Sequence, residues 1–332
     1  MSILDRSGFR YTVHYLAVSC ALVSVVFVLN SLLTFIGDWP GIYGTLAWMG
    51  MDVDAVHGPS QGLGIALGLL QTLLFAGALL WPLYYVRGAD KARIDADEAR
   101  ISALVRFIIQ AAFWSVLLVG FVDAVISFLR IENLLPVIVG DQMASNLGRS
   151  VYRGLYVHVP LMLLSAVIAY RRPGLSFIWL ALLIVIAELM IVITRFIFSY
   201  EQAFMGDLVR FWYAALFLFA SAYTLVEEGH VRVDVAYANF GDITRRLVNI
   251  FGAAALGIPL CWVVLMRGMW AKSSAINSPL LNFEVSQSGF GLYVKYLMAA
   301  FLIVFALTML LQFCSVILAQ LTGKTLRSSA EH

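Results

Sequence analysis

The sequence predicts an all-α integral membrane protein with about eight transmembrane helices. Of the 332 residues, 61% are hydrophobic and 13% are charged, whereas soluble proteins average roughly 45–50% apolar and about 25% charged residues. The chain also contains long apolar runs with few charges, each about as long as the roughly 20 residues that a helix needs to cross a bilayer. These runs lie near residues 11–36, 62–86, 101–129, 151–170, 175–199, 207–227, 247–270 and 291–322.

The distribution of Lys and Arg predicts the orientation of these spans. If both termini lie inside, the cytoplasmic segments hold thirteen Lys and Arg residues and the outer segments hold five. Short loops rich in Lys and Arg are retained on the cytoplasmic side. We therefore expect both termini, including the tail 326–332, in the cytoplasm. The first run lacks a small-residue cleavage site after it, which predicts a retained helix.

The segment EEGHVRVDVAYANFGDITRR, residues 227–246, is a long polar run in the C-terminal half. Its VRVDV stretch alternates apolar and charged residues, which is the period of an extended chain. The next residues follow a helical period, with Ile243 and Leu247 on one side and Arg245 and Arg246 on the other. This pattern predicts a short interfacial helix near 242–250 that runs into the seventh span.

The run EEGHVRVD, preceded by FWYAALFLFASAYTLV, resembles the signature of the small membrane subunit of tripartite ATP-independent periplasmic (TRAP) transporters. The family motif corresponds to His230, Arg232 and Asp234 with the two valines between them. The resemblance implies that these three side chains hold an extended strap at the cytoplasmic membrane face. Further residues that agree with the family in order, and that would serve the scaffold or its partner contacts, are Arg195, Trp212, Glu284, Ser286, Lys295 and Gln312.

The resemblance covers a C-terminal domain, residues 173–325, and leaves four additional helices in residues 1–172 without an explanation. It implies a scaffold subunit in the bacterial cytoplasmic (inner) membrane, in contact with lipids and with a separate large membrane subunit. That partner would hold the substrate and sodium sites and import an organic acid delivered by a periplasmic binding protein. The chain itself would then be no enzyme and need no cofactor or metal, and no nucleic-acid partner is expected from its net charge of +2.

Polar residues inside the predicted spans each need a reason, because an ionised group at mid-membrane costs at least about 2.5–3.5 kcal/mol on insertion scales. Glu188 lies near the middle of the fifth span, and Arg195 is two helical turns further on, too far for a direct ion pair. We expect each to pair with a neighbouring helix or subunit. Asp123, near the outer end of the third span, is predicted to be a boundary residue.

Two other classes of function stay open at this stage. A stand-alone carrier is possible with eight helices, although the prolines inside spans show no repeat relation of the kind common in carriers. A membrane redox subunit would need axial haem ligands at one depth. The histidines inside spans, His14 and His158, are predicted near opposite membrane faces, which disfavours a shared haem.

Overall fold

All regular structure in the described part of the chain is helical. The structure is a computed structural model that describes residues 7–52, 62–171, 177–200, 202–226, 237–286 and 291–324, and these residues contain no strand. Eight helices in them are long and apolar enough to cross a membrane, which confirms the predicted fold class. They are Ser7–Phe35, Leu63–Tyr85, Lys91–Ile131, Ser150–Arg171, Ile178–Ile197, Phe204–Ala222, Asp242–Met269 and Lys295–Thr322. The cytoplasmic placement of the termini stays a prediction.

The N-terminal region supplies eight helical segments, some of them short and placed between the spans. In chain order they are α1 (Ser7–Phe35), α2 (Gly41–Trp48), α3 (Leu63–Tyr85), α4 (Lys91–Ile131), α5 (Leu135–Val139), α6 (Asp141–Leu147), α7 (Ser150–Arg153) and α8 (Val159–Arg171). The C-terminal region supplies α9 (Phe177–Ile197), α10 (Ala203–Val226), α11 (Asp242–Gly252), α12 (Ile258–Met269), α13 (Asn277–Leu281) and α14 (Lys295–Thr322).

The helix of the third span begins at Lys91, ten residues before the apolar run that starts near residue 101. The charged segment before residue 101 continues the helix because its acidic groups Asp97 and Glu98 are buried against other helices and do not mark an end. With 41 residues, α4 is about 60 Å long at 1.5 Å per residue, about twice the thickness of the hydrocarbon core. Part of α4 therefore extends beyond the hydrocarbon.

Two spans contain a π-helical turn that ends two positions before a proline. Gly154–His158 is π-helical and joins α7 to α8, and Ala253–Gly257 joins α11 to α12. Pro160 and Pro259 follow these turns. A proline lacks an N–H and its ring clashes with the carbonyl four residues earlier, which in both spans lies inside the π turn. The amphipathic helix predicted near 242–250 is present as α11, and a π turn makes it continuous with the seventh span. Its placement at the membrane interface stays a prediction.

The described chain forms two compact units. The first comprises Met1–Val105, Thr224–Ser274 and Ala306–His332. In it α2 packs on α3: the backbone N–H of Gly41 donates to Gln71 Oε1 at 2.9 Å, and a Cβ at Gly68 would lie 2.4 Å from Thr45 Oγ1. Gly68 thus permits the close approach of these helices, as its GxxxG spacing with Gly64 allows.

The second unit comprises Arg106–Tyr223 and Ala275–Phe305, and aromatic rings fill its core. Phe113 contacts Phe219 edge to face, and both Phe211 and Phe219 contact Phe301, with ring centroids 5.0–5.6 Å apart. Such ring pairs contribute about 0.5–1.5 kcal/mol beyond the area they bury. Each unit thus packs residues of the N-terminal helices against residues of the C-terminal region.

Candidate functional site in the buried polar clusters and an exposed acidic span

A buried ionic cluster in the second unit is centred on Asp123 of α4. Asp123 Oδ1 accepts a hydrogen bond from Arg153 Nη1 at 2.9 Å and lies 3.0 Å from His158 Nε2. Its Oδ2 accepts the backbone N–H of Tyr293 at 2.8 Å, and His158 Nδ1 lies 2.8 Å from the hydroxyl of Tyr296. The side chains of Asp123, Arg153 and His158 are fully buried. We call these five residues the Asp123 cluster.

The prediction that Asp123 is a boundary residue is wrong. A short aspartate side chain cannot reach water from inside a helix bundle as Lys and Arg do. Asp123 instead turns toward the guanidinium of Arg153, and this pairing compensates for the loss of hydration.

The π turn explains how Arg153 and His158 reach the same carboxylate oxygen. Residues five apart in an α-helix point about 140° away from each other, since each residue rotates by about 100°. A π turn has more residues per turn, which brings positions i and i+5 closer to one face. Because Arg153 and His158 bracket the π turn Gly154–His158, both side chains meet Asp123.

Arg153 is held by several groups besides Asp123. Its Nε donates to the carbonyl of Leu147 at 2.9 Å and its Nη1 lies 3.2 Å from Ser127 Oγ. The guanidinium lies 4.1 Å from the centre of the Tyr293 ring, and the Tyr293 hydroxyl donates to the carbonyl of Gly148 at 2.8 Å. Tyr293, which precedes α14, is thereby fixed against helices of the N-terminal region.

A second buried cluster, in the first unit, is centred on Glu98 of α4. Glu98 Oε1 accepts hydrogen bonds from Ser102 at 3.0 Å and Ser315 at 3.1 Å, and Oε2 accepts one from Lys324 Nζ at 3.0 Å. Ser315 and Lys324 belong to α14 and the residues just after it. This Glu98 cluster is thus a further polar link between the N-terminal helices and the C-terminal region.

We expect Lys324→Met to lower the thermal unfolding midpoint of the purified protein. The substitution leaves the buried carboxylate of Glu98 with only the two serine hydroxyl donors, and an under-satisfied buried charge costs about 1–3 kcal/mol or more. Differential scanning fluorimetry in detergent measures the midpoint. The control Lys272→Met removes an exposed ammonium and should leave the midpoint unchanged; equal midpoints for both variants would show that the Glu98 link is not stabilising.

The histidines considered as haem ligands each contact a carboxylate. His14 Nε2 lies 2.9 Å from Asp97 Oδ2, and the hydroxyl of Tyr85 donates to Asp97 Oδ1 at 2.8 Å. His158 belongs to the Asp123 cluster. Within the described ranges no group of three or more His, Cys, Asp or Glu residues is arranged to hold a metal ion. Both histidines therefore have structural roles that join helices.

The residues predicted from the family motif are placed in different surroundings. The positions His230, Arg232 and Asp234 lie outside the described residues. Trp212 is buried, and its Nε1 donates to the carbonyl of Val116 in α4 at 3.3 Å. Among the other residues that agree with the family, Lys295 forms an ion pair with Glu284. Ser286 is exposed, and Gln312 is buried in α14.

The predicted interfacial helix contacts the end of α14 through one of its basic residues. Arg246 Nε donates to the carbonyl of Gln320 at 2.7 Å and Nη2 to the carbonyl of Leu321 at 3.0 Å. These carbonyls belong to the last turn of α14, where helix carbonyls have no intrahelical partner. Arg245 lies beside the ring of Tyr237, while Ile243 is exposed and Leu247 is half-buried.

Span α9 exposes an acidic residue at membrane depth. Glu188 is exposed and has no hydrogen-bond or ion-pair partner in the described part of the chain, and only 11% of this span is buried. Arg195 is also exposed on the same helix. The apolar residues around Glu188 are exposed as well; they are Leu182, Val185, Ile186, Leu189 and Val192. An ionised carboxylate in this setting is costly at membrane depth.

Comparison with known proteins finds a similarity in the C-terminal region. Residues 183–322 match the family described as Tripartite ATP-independent periplasmic transporters, DctQ component. No curated protein and no solved structure matched the chain. The match begins within α9 and ends at the last residue of α14, and the helices before it form an N-terminal extension. The chain is therefore a multi-pass membrane protein whose residues 183–322 are similar to the DctQ component of tripartite ATP-independent periplasmic transporters.

Proposed function

We propose that this chain is the scaffold subunit of a TRAP transporter in the bacterial cytoplasmic membrane. It supports a large sodium-coupled membrane subunit, which imports an organic acid delivered by a periplasmic binding protein. The observation that carries the proposal is the family match of residues 183–322. Sodium coupling and substrate binding are assigned to the partner, and the chain needs no cofactor of its own in this proposal.

The buried charged side chains contact one another and other polar groups of the chain, which favours a scaffold function over that of a stand-alone carrier. Asp123 contacts three partners in its cluster, and Glu98 contacts Ser102, Ser315 and Lys324. Groups that bind a substrate need free donors and acceptors, whereas groups that fix helices are satisfied by one another. Residues 296–323 also contain no charged residue, which suits helix packing better than a polar path.

We propose that the exposed face of α9 contacts the large membrane subunit and that Glu188 accepts a hydrogen bond from it. The carboxylate is exposed among apolar side chains and belongs to the region that matches the family. A group that costs at least about 2.5–3.5 kcal/mol in lipid is stabilised when a partner helix supplies a donor. The additional N-terminal helices, joined to α14 through the Asp123 and Glu98 clusters, would enlarge the scaffold around the same partner.

We expect Glu188→Leu to reduce recovery of the large subunit in a co-purification with this chain. Loss of one interhelical hydrogen bond to a charged group corresponds to about a tenfold weaker complex. The measured quantity is the ratio of the two subunits after affinity purification in mild detergent. Glu188→Gln keeps an acceptor and should retain most of the complex.

The control for this experiment is Asp141→Leu, which removes an exposed carboxylate from the N-terminal region. It should leave the subunit ratio at the wild-type value. If Glu188→Leu also leaves the ratio unchanged, or increases the yield of the complex, then Glu188 faces lipid and α9 does not contact the partner through this residue.

A further inference from the structure

A cavity of about 780 Å³ lies at the end of α3 and the start of α4, within the first unit. It belongs to the N-terminal extension, outside the region that matches the family. Six of the side chains that line it are aromatic or basic: Trp81, Tyr84, Tyr85, Arg87, Arg93 and Arg100. Binding of a ligand in this cavity would not depend on the partner subunit.

The cavity has an excess of positive charge. Three guanidinium groups line it, and no carboxylate does. Asp97 accepts hydrogen bonds from Tyr85 and Arg100 and contacts His14, and Asp90 accepts the backbone N–H of Arg93. Asp95, next to the lining residue Ala96, is half-buried and does not line the cavity. Asp97 is the counter-charge of Arg100, and the guanidinium groups of Arg87 and Arg93 add two further positive charges to the lining, where like charges repel one another. An anion in the cavity would relieve this repulsion.

Contacts to Tyr85 hold two of the arginines in place. Arg93 Nη1 donates to the Tyr85 carbonyl at 3.1 Å, and Arg100 Nη1 donates to the Tyr85 hydroxyl at 3.0 Å. A guanidinium carries five N–H donors, so each arginine keeps donors for another acceptor. The side chain of Arg87 is exposed and its guanidinium has no hydrogen bond or ion pair within the described residues. Arginines with fixed planes suit the bidentate recognition of phosphate oxygens.

The aromatic side chains place the cavity at a membrane–water boundary. Trp81 and Tyr85 stack with ring centroids 4.3 Å apart, and Tyr84 is 77% exposed. Exposed Trp and Tyr at the end of an apolar helix are typical of the headgroup level. The cavity lies where the apolar span α3 ends at Tyr85 and charged residues begin. A molecule that fills it would have its anionic group among the arginines and its apolar part along α3.

We propose that this cavity binds the phosphate group of an anionic phospholipid. Basic pockets at the cytoplasmic ends of transmembrane helices bind such headgroups, and the predicted orientation places this one in the cytoplasmic leaflet. A soluble organic phosphate shares the same charge chemistry. The aromatic surface and the apolar span beside the arginines favour the lipid, because a soluble phosphate has nothing to place there.

The test is native mass spectrometry of the full-length protein, titrated in detergent with phosphatidylglycerol or with phosphatidylcholine. Wild-type protein should retain phosphatidylglycerol preferentially. Retention of phosphatidylglycerol should be about tenfold lower in the double variant Arg87→Gln/Arg93→Gln, because two positive charges near the phosphate are removed. The control Lys91→Gln/Arg171→Gln removes two exposed positive charges that do not line the cavity, and it should bind as wild type.

Further arms of the experiment distinguish the alternatives. Equal losses in both double variants would mean that any surface charge attracts the lipid, and would overturn the proposed site. Glycerol phosphate, which carries the phosphate without acyl chains, should displace the lipid only at concentrations at least about a hundredfold higher, because it lacks the apolar contribution of each buried CH₂. Displacement at equal concentrations would assign the cavity to soluble phosphates and overturn the lipid assignment.

Discussion

Replacing Asp123 by alanine is expected to destabilise the protein more than any other single substitution considered. The change leaves the guanidinium of Arg153, whose side chain is fully buried, without its carboxylate, and also removes the acceptor of the Tyr293 N–H. Breaking a buried ion pair on one side costs about 3–5 kcal/mol. We expect a fall of the thermal midpoint on the order of 10 °C, measured by scanning fluorimetry in detergent.

Two further variants separate loss of charge compensation from loss of packing. Asp123→Leu/Arg153→Met replaces both charges with apolar side chains and should recover much of the lost stability, since apolar replacement of a whole buried pair is often neutral. Asp141→Asn changes an exposed carboxylate in the same unit and should have no effect. A midpoint for Asp123→Ala within experimental error of the wild type would contradict the structural role of the cluster.

Gly120→Ala is the substitution with the second largest expected effect. A Cβ at Gly120 would lie 2.5 Å from Trp212 Nε1, and the buried indole could not keep its hydrogen bond to the Val116 carbonyl. Overpacking of this kind costs about 1–3 kcal/mol, more than the gain from alanine in a helix. We expect a lower thermal midpoint and faster proteolysis in the purified protein.

The matched control is Gly77→Ala in α3, where an added Cβ meets no atom within 4 Å. This variant should be as stable as the wild type or more stable by up to about 1 kcal/mol, because alanine favours the helix. A Gly120→Ala/Trp212→Phe double variant should show coupling, since the smaller ring relieves part of the overlap. If both glycine variants stabilise the protein, the close packing of α4 on α10 is not a constraint.

Hydropathy predicts the spans well because a span is recognised from the mean hydropathy of about 20 consecutive residues. The eight runs and the amphipathic helix with Arg245 and Arg246 are visible in windows of about 20 residues, and the structure contains them. The helix α4 begins at Lys91, before the apolar run near residue 101, in a charged segment that contains Asp97 and Glu98. In the structure their charges are compensated by distant partners.

The polar clusters could not be predicted because their members are far apart along the chain. Asp123 and Tyr293 are separated by 170 positions, and Glu98 and Lys324 by 226. In the sequence, Arg153 is one of the five basic residues of the predicted outer segments. No residue near it in the sequence indicates that it is buried. The one local signal was Pro160, which induces the π turn that brings Arg153 and His158 to a common face.

The central claim is that this chain is the scaffold of a transporter with a separate large membrane subunit. The most direct test is to co-express the tagged chain with its neighbouring genes, purify it in mild detergent and weigh the product by native mass spectrometry. We expect a one-to-one complex whose mass is that of a large polytopic partner plus 36.7 kDa. A chain that purifies alone and transports a substrate after reconstitution would contradict it.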